Sequence, residues 1–518
     1  MKLNLQKVTT IGQLRHFPVE VTIFFASFYL LLPNILFLLT YTRLYISLPV
    51  SAFCLISLFC WAREIFSLKF NFRISNSKNY ILPLILIFTW FSLSGIGGFG
   101  FQNTDYSFSN PTFSDMVKRP WPLKYAYNES EFYFAYYIGY FIFPSLIGKL
   151  TNWTSSNIFQ FIWSGTGVFL AFILFTSFVK KLTGFSINML QMVFITLVFM
   201  LGGGLDLIPW LFRFAGSTVP GDHIDFWARD YQYSSMTTLL YWVPQQCIAA
   251  WIVTGILVNS EDKISKKYLG LPIASLVLYS PLALIGIIPL LLVYVYKLIQ
   301  KNDFTSLLTV HNLVVATALF FITSSYILSN EFSFPMLFLF KNLRFFISYP
   351  IFIIVEFLFC VPLYFYIKRA NLFSNDQISY FIPVILFLML LPLFKFGIYN
   401  DLAMRGSIPA LFVLFTYISS ALLIISKSEN TRINFSIKTI SFLVLVISFA
   451  SSASEITRGI KNYSVGASIW DQSKIKSFID IPDKAAIEQR KGNANSFFFL
   501  NLAKLPNKQG PARLSLKR

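Results

Sequence analysis

The feature that most constrains this chain is a series of apolar runs, each roughly 17 to 25 residues long, that recur along its whole length. A helix of that length crosses the hydrocarbon core of a bilayer, which is about 30 Å thick. Hydrophobic residues make up 55% of the 518 residues and charged residues only 13%, which fits the same interpretation. The sequence therefore predicts an all-α, polytopic transmembrane helical bundle.

We expect about thirteen spans in this bundle. The first apolar run is too long for the h-region of a signal peptide and lacks a small-residue cleavage pattern, so it is predicted to stay as a span. The run around Tyr279-Ser280-Pro281 predicts either two short helices or one broken helix. The predicted spans are 19–40, 44–62, 80–98, 157–179, 186–209, 236–258, 268–281, 282–297, 308–328, 349–367, 379–394, 408–425 and 437–453.

The distribution of basic residues predicts the orientation, because Lys and Arg accumulate in short cytoplasmic loops. With the N-terminus in the cytoplasm, six basic loops fall on that side, and the loop 99–156 and the tail 454–518 fall outside. Basic loops facing anionic lipid explain most of the net charge of +19, so no nucleic-acid partner is indicated. The six loops hold Arg63/Lys69/Arg73/Lys78, Lys180/Lys181, Lys263/Lys266/Lys267, Lys297/Lys301, Lys368/Arg369 and Lys427/Arg432/Lys438.

This pattern predicts that the chain is divided into three parts. Residues 1–79 form an N-terminal transmembrane hairpin, residues 80–453 form the transmembrane core, and residues 454–518 form a small, polar and basic extracytoplasmic tail. The four cysteines all lie inside apolar runs, which predicts buried thiols and neither a disulfide framework nor a zinc site.

The loop 99–156 is the longest polar interruption and the first candidate site. It holds two carboxylates, Asp105 and Asp115, then the basic pair Lys118 and Arg119, then Trp121 between two prolines. The prolines keep the backbone out of a helix and aim the indole in a fixed direction. The following segment is aromatic and apolar, includes Tyr137, and suits helices that lie at the membrane interface.

Later outward segments add polar groups at the same membrane depth. Asp206 stands at the outer end of an apolar run, and Gln245 begins another span. A short loop near residue 400 holds Asn400, Asp401 and Arg405. A guanidinium binds phosphate oxygens bidentately and keeps its charge, so Arg405 suits a lipid phosphate. If this loop begins a helix, Asp401 and Arg405 share a face and the carboxylate can orient the guanidinium.

These residues carry a resemblance, which covers most of residues 80 to 425. The chain is similar to a group of bacterial multi-pass membrane proteins, and more distantly it resembles the C-type glycosyltransferase superfamily (GT-C). That superfamily includes protein O-mannosyltransferases and the aminoarabinose transferase of lipid A. The matching positions, in order, are Asp105, Asn110, Asp115, Trp121-Pro122, Tyr136-Tyr137, Gly139-Tyr140, Pro144, Gly148-Lys149, Pro244-Gln245, Ser280-Pro281, Ile285-Gly286 and Asn400-Asp401-Leu402-Ala403-Met404-Arg405.

The resemblance implies transfer of a sugar from a polyprenyl-phosphate lipid donor to a hydroxyl of a glycan, lipid or protein acceptor, with inversion. It implies a bacterial plasma-membrane protein with an extracytoplasmic active site, surrounded by membrane lipids. Asp105 would be the general base, and Arg405, with Lys118 or Arg119, would neutralise the phosphate leaving group. The remaining residues expected at the substrate are Asp401, which would hold Arg405, and Asn400, Trp121, Tyr137, Gln245 and Asp115.

Each assignment has a structural alternative. Asp105 and Asp115 could equally serve as turn or helix-cap residues, and Arg405 as a membrane anchor. Lys118 and Arg119 could form a solvated surface. Trp121 and the tyrosines fit an aromatic belt. At the level of function, the alternatives are a transporter or flippase of lipid-linked glycans and a structural subunit of an envelope complex.

Cofactor chemistry has little support in the sequence. The chain has three histidines, of which only His223 is predicted to lie outside, so a multi-histidine metal site is not expected. The sequence leaves open a Mg²⁺ or Mn²⁺ ion held by Asp105 with Asp206 or Asp222. Motifs for ATP hydrolysis or acyl-serine chemistry are absent from the sequence.

Overall fold

The structure of the protein is a computed structural model. It describes residues 19–68, 78–127, 130–212, 224–228, 230–331, 336–341, 343, 345–358, 360–397, 399–427, 432–463 and 470–504. Asp222 and His223 therefore lie outside the described residues.

The described chain is mainly helical. The helices of its first half are α1 (Val19–Tyr41), α2 (Leu44–Ser67), α3 (Lys78–Ser92), α4 (Tyr106–Lys118), α5 (Gly139–Leu150), α6 (Trp153–Thr183), α7 (Met189–Leu201), α8 (Leu207–Leu211), α9 (Met236–Trp242) and α10 (Pro244–Asn259). Those of its second half are α11 (Lys263–Tyr268), α12 (Gly270–Ser275), α13 (Pro281–Gln300), α14 (Ala316–Ile327), α15 (Phe345–Phe357), α16 (Cys360–Arg369), α17 (Asn375–Ile378), α18 (Phe381–Leu390), α19 (Asp401–Gly406), α20 (Ile408–Lys427), α21 (Arg432–Ser448), α22 (Ala450–Lys461) and α23 (Lys484–Glu488). The strands are β1 (Lys124–Tyr127), β2 (Ser130–Phe134), β3 (Leu337–Phe338), β4 (Phe394–Lys395) and β5 (Lys491–Gly492).

Local sequence signals set where several helices begin and end. The Asn152 side chain accepts a hydrogen bond from the Ser155 amide and begins α6, and Gly184, with a φ of 70°, ends it. Ser280 caps α13, and Pro281 follows at the first helical position. The break predicted near residue 280 therefore separates α12 from α13.

The helices are those of a membrane protein. In the part of the chain that the structure describes, seven helices are long and apolar enough to cross a membrane, and α15 with α16 is an eighth candidate, bent by 46°. Large apolar side chains point outward from these helices: Phe53 and Phe59 of α2 are 54% and 69% exposed. Such a surface is suited to lipid chains rather than to water. The chain is thus an integral α-helical membrane protein, and the figure of thirteen spans stays a prediction.

The helix α10 lies at the centre of the bundle. Every residue of α10 except Gln245 is buried, and the helix packs against α1, α6, α13 and α20. Glycines permit the closest approaches: a Cβ at Gly167 of α6 would lie 2.5 Å from Ile248, and one at Gly255 would lie 2.6 Å from Leu174. Small residues let membrane helices pack backbone to backbone, so α10 and α6 pack closely against each other.

Basic loops gather at one end of the bundle. Lys181 pairs with Glu261 at 2.8 Å, and Lys297 and Lys301 both pair with Asp376, at 3.0 and 3.1 Å. The first loop and the C-terminal segment contact each other at the opposite end. The 31 residues of α6, about 46 Å of helix, separate the two ends. The loops predicted to be cytoplasmic are therefore kept apart from those predicted to hold the site, while the direction of insertion stays a prediction.

Small β-sheets, which the all-helical prediction did not include, join distant segments at this opposite end. β1 and β2 form an antiparallel hairpin, and β5 adds to it with Tyr133 opposite Gly492, while β3 pairs with β4. Phe478 and Phe498 of the C-terminal segment are fully buried. This segment is therefore a packed wall of this end of the bundle, and the boundary predicted at residue 454 lies within α22.

Candidate functional site

A cavity of about 530 Å³ lies at the end of the bundle where the first loop meets the C-terminal segment. Its walls come from the start of α4, from residues 232–246, from α19 and from the surroundings of α23. Its charged side chains are Asp105, Asp401, Arg405, Asp483 and Arg490. Aromatic and amide side chains complete the lining, among them Phe108, Tyr136, Tyr137, Phe226, Gln232, Trp242, Gln245, Gln246, Tyr399 and Gln489.

Asp105 occupies the position of a helix cap before α4, but its carboxylate makes no capping hydrogen bond. The Asp105 amide donates to the side-chain oxygen of Asn103 at 3.0 Å, so Asn103 closes the turn instead. Burial raises the pKa of Asp105; the guanidiniums of Arg405 and Arg490 oppose this shift, and the charge of Asp401 adds to it. The four charged groups therefore act on one another across one cavity. None of the described residues donates a hydrogen bond to the Asp105 carboxylate, so it is available to a ligand.

Arg405 and Asp401 lie one turn apart on α19, as their spacing predicts. A terminal nitrogen of Arg405 is 3.7 Å from Asp401 Oδ1, and the Arg405 side chain is 14% exposed. The Nε group of Arg405 is buried and has no hydrogen-bond partner among the described residues. A guanidinium that is oriented by a carboxylate and still has free N–H groups is suited to bind an oxyanion.

Asn400 does not line the cavity, but it builds the turn that presents α19. It is fully buried and adopts the left-handed conformation, with a φ of 60°. Its side-chain oxygen accepts a hydrogen bond from the Ala403 amide, and its Nδ2 donates to the Asp230 carbonyl at 2.9 Å. Gly397 is required in the same turn, because its φ is 87° and a Cβ there would lie 2.2 Å from Asp401 Oδ2. Asn400 therefore positions the charged pair rather than a substrate.

Tyr137 and Gln245, also predicted from the sequence, do line the cavity. The Tyr137 ring packs on Tyr136 with the ring centroids 3.7 Å apart. Gln246, beside Gln245 in the first turn of α10, is buried, and its Oε1 has no hydrogen-bond partner among the described residues. The charged groups thus stand beside ring faces and free amide groups, the mixture typical of pockets that orient a polar ligand.

The C-terminal segment supplies a second guanidinium that the sequence did not indicate. Arg490 follows α23 and lines the cavity together with Asp483 and Gln489. Its neighbours in the sequence resemble a solvated basic tail, and no local pattern distinguishes it from them. Arg490 is held there by long-range backbone pairing, since the Ala135 amide donates to the Arg490 carbonyl at 3.0 Å.

Asp115 lies outside the cavity and fastens the first loop to the C-terminal segment. Its Oδ2 accepts hydrogen bonds from the Tyr125 hydroxyl at 2.9 Å, the Ser477 hydroxyl at 2.7 Å and the Phe478 amide at 2.9 Å. Arg119 lies 3.3 Å from its Oδ1. Three donors and one cation satisfy this buried carboxylate, so its role in the structure is that of an anchor.

Lys118 and Trp121 lie outside the cavity as well, as does Arg119. Lys118 Nζ donates to the Gln472 carbonyl at 3.2 Å, and Trp121 Nε1 donates to the Met116 carbonyl at 2.9 Å. These residues fasten the first loop to itself and to the C-terminal segment. Among the basic residues predicted to neutralise a leaving group, only Arg405 reaches the cavity.

Replacing Asp115 by alanine should loosen the C-terminal segment. The change leaves the partly buried Arg119 without its carboxylate and removes three hydrogen bonds, at a cost of about 3 kcal/mol or more. We expect a lower Tm and faster tryptic cleavage at Lys474 and Lys484. Asp471→Ala is the matched control, because this exposed acid of the same segment caps a local turn and pairs only with Lys474 of that turn. Cleavage at Lys484 provides the comparison between the two variants. Unchanged cleavage in Asp115→Ala would contradict the anchor role.

Asp206 lies outside the cavity and is fully buried. Its carboxylate accepts hydrogen bonds from Trp227 Nε1 at 2.8 Å and from the Ser451 hydroxyl at 3.5 Å. The Glu356 carboxyl group of α15 lies beside it. Among the described residues, no group of three or more His, Cys, Asp or Glu side chains is arranged to hold a metal ion.

No protein-family model matches the chain, and a search of curated proteins gives no match. The function is therefore inferred from the residues of the cavity.

Proposed function

We propose that the protein is an inverting membrane glycosyltransferase that moves a sugar from a polyprenyl-phosphate-linked donor to an acceptor hydroxyl at the extracytoplasmic face. The observation that supports this proposal most is that Asp105 and Arg405, which are far apart in the sequence, line one cavity. The resemblance of the chain to the GT-C superfamily agrees with it. A base and an oxyanion-binding group in one cavity are the two groups that such a transfer requires.

The reaction divides between these two groups. The acceptor oxygen attacks the anomeric carbon of the sugar, and its proton passes to the Asp105 carboxylate. The bond between the anomeric carbon and the phosphate oxygen breaks on the opposite side of the sugar, which inverts the configuration. The negative charge that develops on the lipid phosphate is stabilised by Arg405, which Asp401 holds at 3.7 Å.

The surroundings of the cavity suit a lipid-linked substrate. The cavity is formed by the ends of apolar helices and by the first loop, so a prenyl chain can stay in lipid while its phosphate and sugar enter a polar space. The rings of Tyr137 and Trp242 offer faces on which a sugar can stack, and Gln245 and Gln246 offer hydrogen bonds to its hydroxyl groups.

Transfer should depend on pH through Asp105. The base must be ionised, so activity should rise as pH rises through its pKa and fall about tenfold per pH unit below it. Burial raises this pKa, and Arg405 and Arg490 oppose the shift while Asp401 adds to it. The acidic limb of kcat/KM should therefore lie above the ordinary aspartate value of about 3.9. A limb at or below that value would contradict the assignment of Asp105 as the base.

A reconstituted assay separates a transferase from a flippase. The purified protein would be reconstituted in liposomes and given polyprenyl-phosphate-linked sugars that carry a label in the sugar. The acceptor would be an envelope extract from cells that lack this protein. A transferase releases polyprenyl phosphate and forms a labelled product of inverted anomeric configuration. A flippase moves the intact lipid between leaflets and releases nothing. Translocation without release would overturn the proposal.

A further inference from the structure

Arg490 is a cation of the cavity that the proposed reaction does not use. Its guanidinium lies over the Tyr136 ring, 4.5 Å from the centroid, with the rings of Phe478 and Phe108 at 5.6 and 5.7 Å. One guanidinium nitrogen, Nη1, donates to the Ala486 carbonyl at 2.8 Å. The described residues provide it with no ion pair. These aromatic rings therefore fix the orientation of the Arg490 guanidinium, while most of its N–H groups stay available to a ligand.

The other charges of the cavity already have partners or roles. Arg405 pairs with Asp401, and the Asp483 carboxylate caps α23 by accepting the Ala486 amide at 3.1 Å. Asp105 is the proposed base, and its charge acts on Arg490 without forming an ion pair with it among the described residues. A half-buried cation without a carboxylate partner loses hydration and gains no ion pair, so a ligand oxyanion would complete its interactions.

The two guanidiniums of the cavity are held by different elements. Arg490 lies on the Tyr136 ring and beside the Phe108 ring. Arg405 lies beside Asp401 on α19. Each guanidinium can therefore bind an anionic group of its own. Phe108 is one helical turn from the base Asp105, and the base must touch the acceptor, so the anion at Arg490 is assigned to the acceptor.

We propose that Arg490 is a specificity-determining residue that binds an acidic group of the acceptor, so that the second substrate is a phosphate- or carboxylate-bearing sugar. This inference rests on the proposed function, since it assigns the donor phosphate to Arg405. It also gives the C-terminal segment a role in substrate choice, because α23 and β5 hold Arg490 in the wall.

Binding measurements test this role without any need for transfer. Glucose 6-phosphate and glucuronate are the acidic probes of the acceptor site, and glucose is their uncharged control. Polyprenyl phosphate is the probe of the donor site. We expect the wild-type protein to prefer the acidic sugars to glucose. Arg490→Gln should weaken acidic-sugar binding roughly 10- to 100-fold, as expected for the loss of a charge-assisted hydrogen bond, and leave polyprenyl phosphate binding unchanged. Arg490→Lys should keep most of the preference.

Lys491→Gln is the matched control. It removes one positive charge from the next residue, which pairs with Glu488 at 2.6 Å and does not line the cavity. It should leave both kinds of binding as in the wild type, and tryptic cleavage should show whether each variant keeps its C-terminal segment docked.

Three results would overturn the inference: no preference for acidic sugars in the wild type, equal loss of acidic-sugar binding in Lys491→Gln, or a loss in Arg490→Gln that falls on polyprenyl phosphate instead. The proposed function is tested separately, because its failure would appear as missing transfer while these binding preferences remain.

Discussion

Asp105→Asn should lower the turnover of sugar transfer by roughly 10²- to 10⁴-fold, the range expected when a general base is removed. Asparagine has nearly the same shape as aspartate, but its amide cannot take up the acceptor proton. The Asp105 carboxylate makes no capping hydrogen bond, so the helix α4 should not depend on it. Polyprenyl phosphate binding should stay within a few-fold of wild type, because that contact belongs to Arg405. Transfer rates and lipid binding, measured on the same preparation, check both statements.

Asp483→Asn is the matched control for this experiment. Asp483 also lines the cavity, and asparagine can replace it as the cap of α23. Its replacement should reduce transfer far less than the replacement of Asp105. Equal losses in the two variants would indicate that only the total charge of the cavity matters. If Asp105→Asn keeps full transfer activity, the protein does not use this carboxylate as its base.

Arg405→Gln should lower transfer by roughly 10²- to 10³-fold, because the charge that builds on the leaving phosphate would lose its main stabilising group. In contrast to Asp105→Asn, this variant should also bind polyprenyl phosphate more weakly. Arg405→Lys should recover part of the binding but less of the rate, since an ammonium group keeps the charge and lacks the planar pair of donors. Rates and lipid binding for the three proteins provide the comparison.

Asp401→Asn tests whether Asp401 acts by holding Arg405 in position or through its own negative charge. If Asp401 serves to hold Arg405, this variant should reduce transfer less than Arg405→Gln and should leave the positive charge available to the lipid. A loss larger than that of Arg405→Gln would contradict the assignment, because it would give Asp401 a role that does not pass through Arg405.

The class of helical membrane protein was predictable because the length of a spanning helix follows from the thickness of the hydrocarbon core. The helix α13 (Pro281–Gln300) overlaps the predicted span 282–297, and its start is encoded locally by Ser280 and Pro281. The pairing of Asp401 with Arg405 was predictable from helix periodicity, since residues four positions apart share one face of a helix. Local chemistry decides both features.

Contacts between distant segments were not predictable in this way. Asp105 and Asp115 are acids of the same loop, but Asp115 is turned into the interior, where hydrogen bonds from Ser477 and Phe478 satisfy it. No local signal tells which of the two acids faces the cavity. Arg490 reaches the cavity only because β5 pairs with β2, and a pairing of two residues leaves almost no pattern in a sequence.

Thiol cross-linking between positions 105 and 405 tests whether the two residues share one outward cavity. Both residues would be replaced by cysteine in a chain whose natural cysteines, Cys54, Cys60, Cys247 and Cys360, are changed to alanine, with a protease site between the two positions. A short bifunctional reagent that does not cross membranes would be added to intact cells. We expect the two fragments to remain joined after cleavage. Fragments that separate, or that are joined only when the reagent reaches the cytoplasmic face, would contradict a shared outward cavity and with it the proposed transferase.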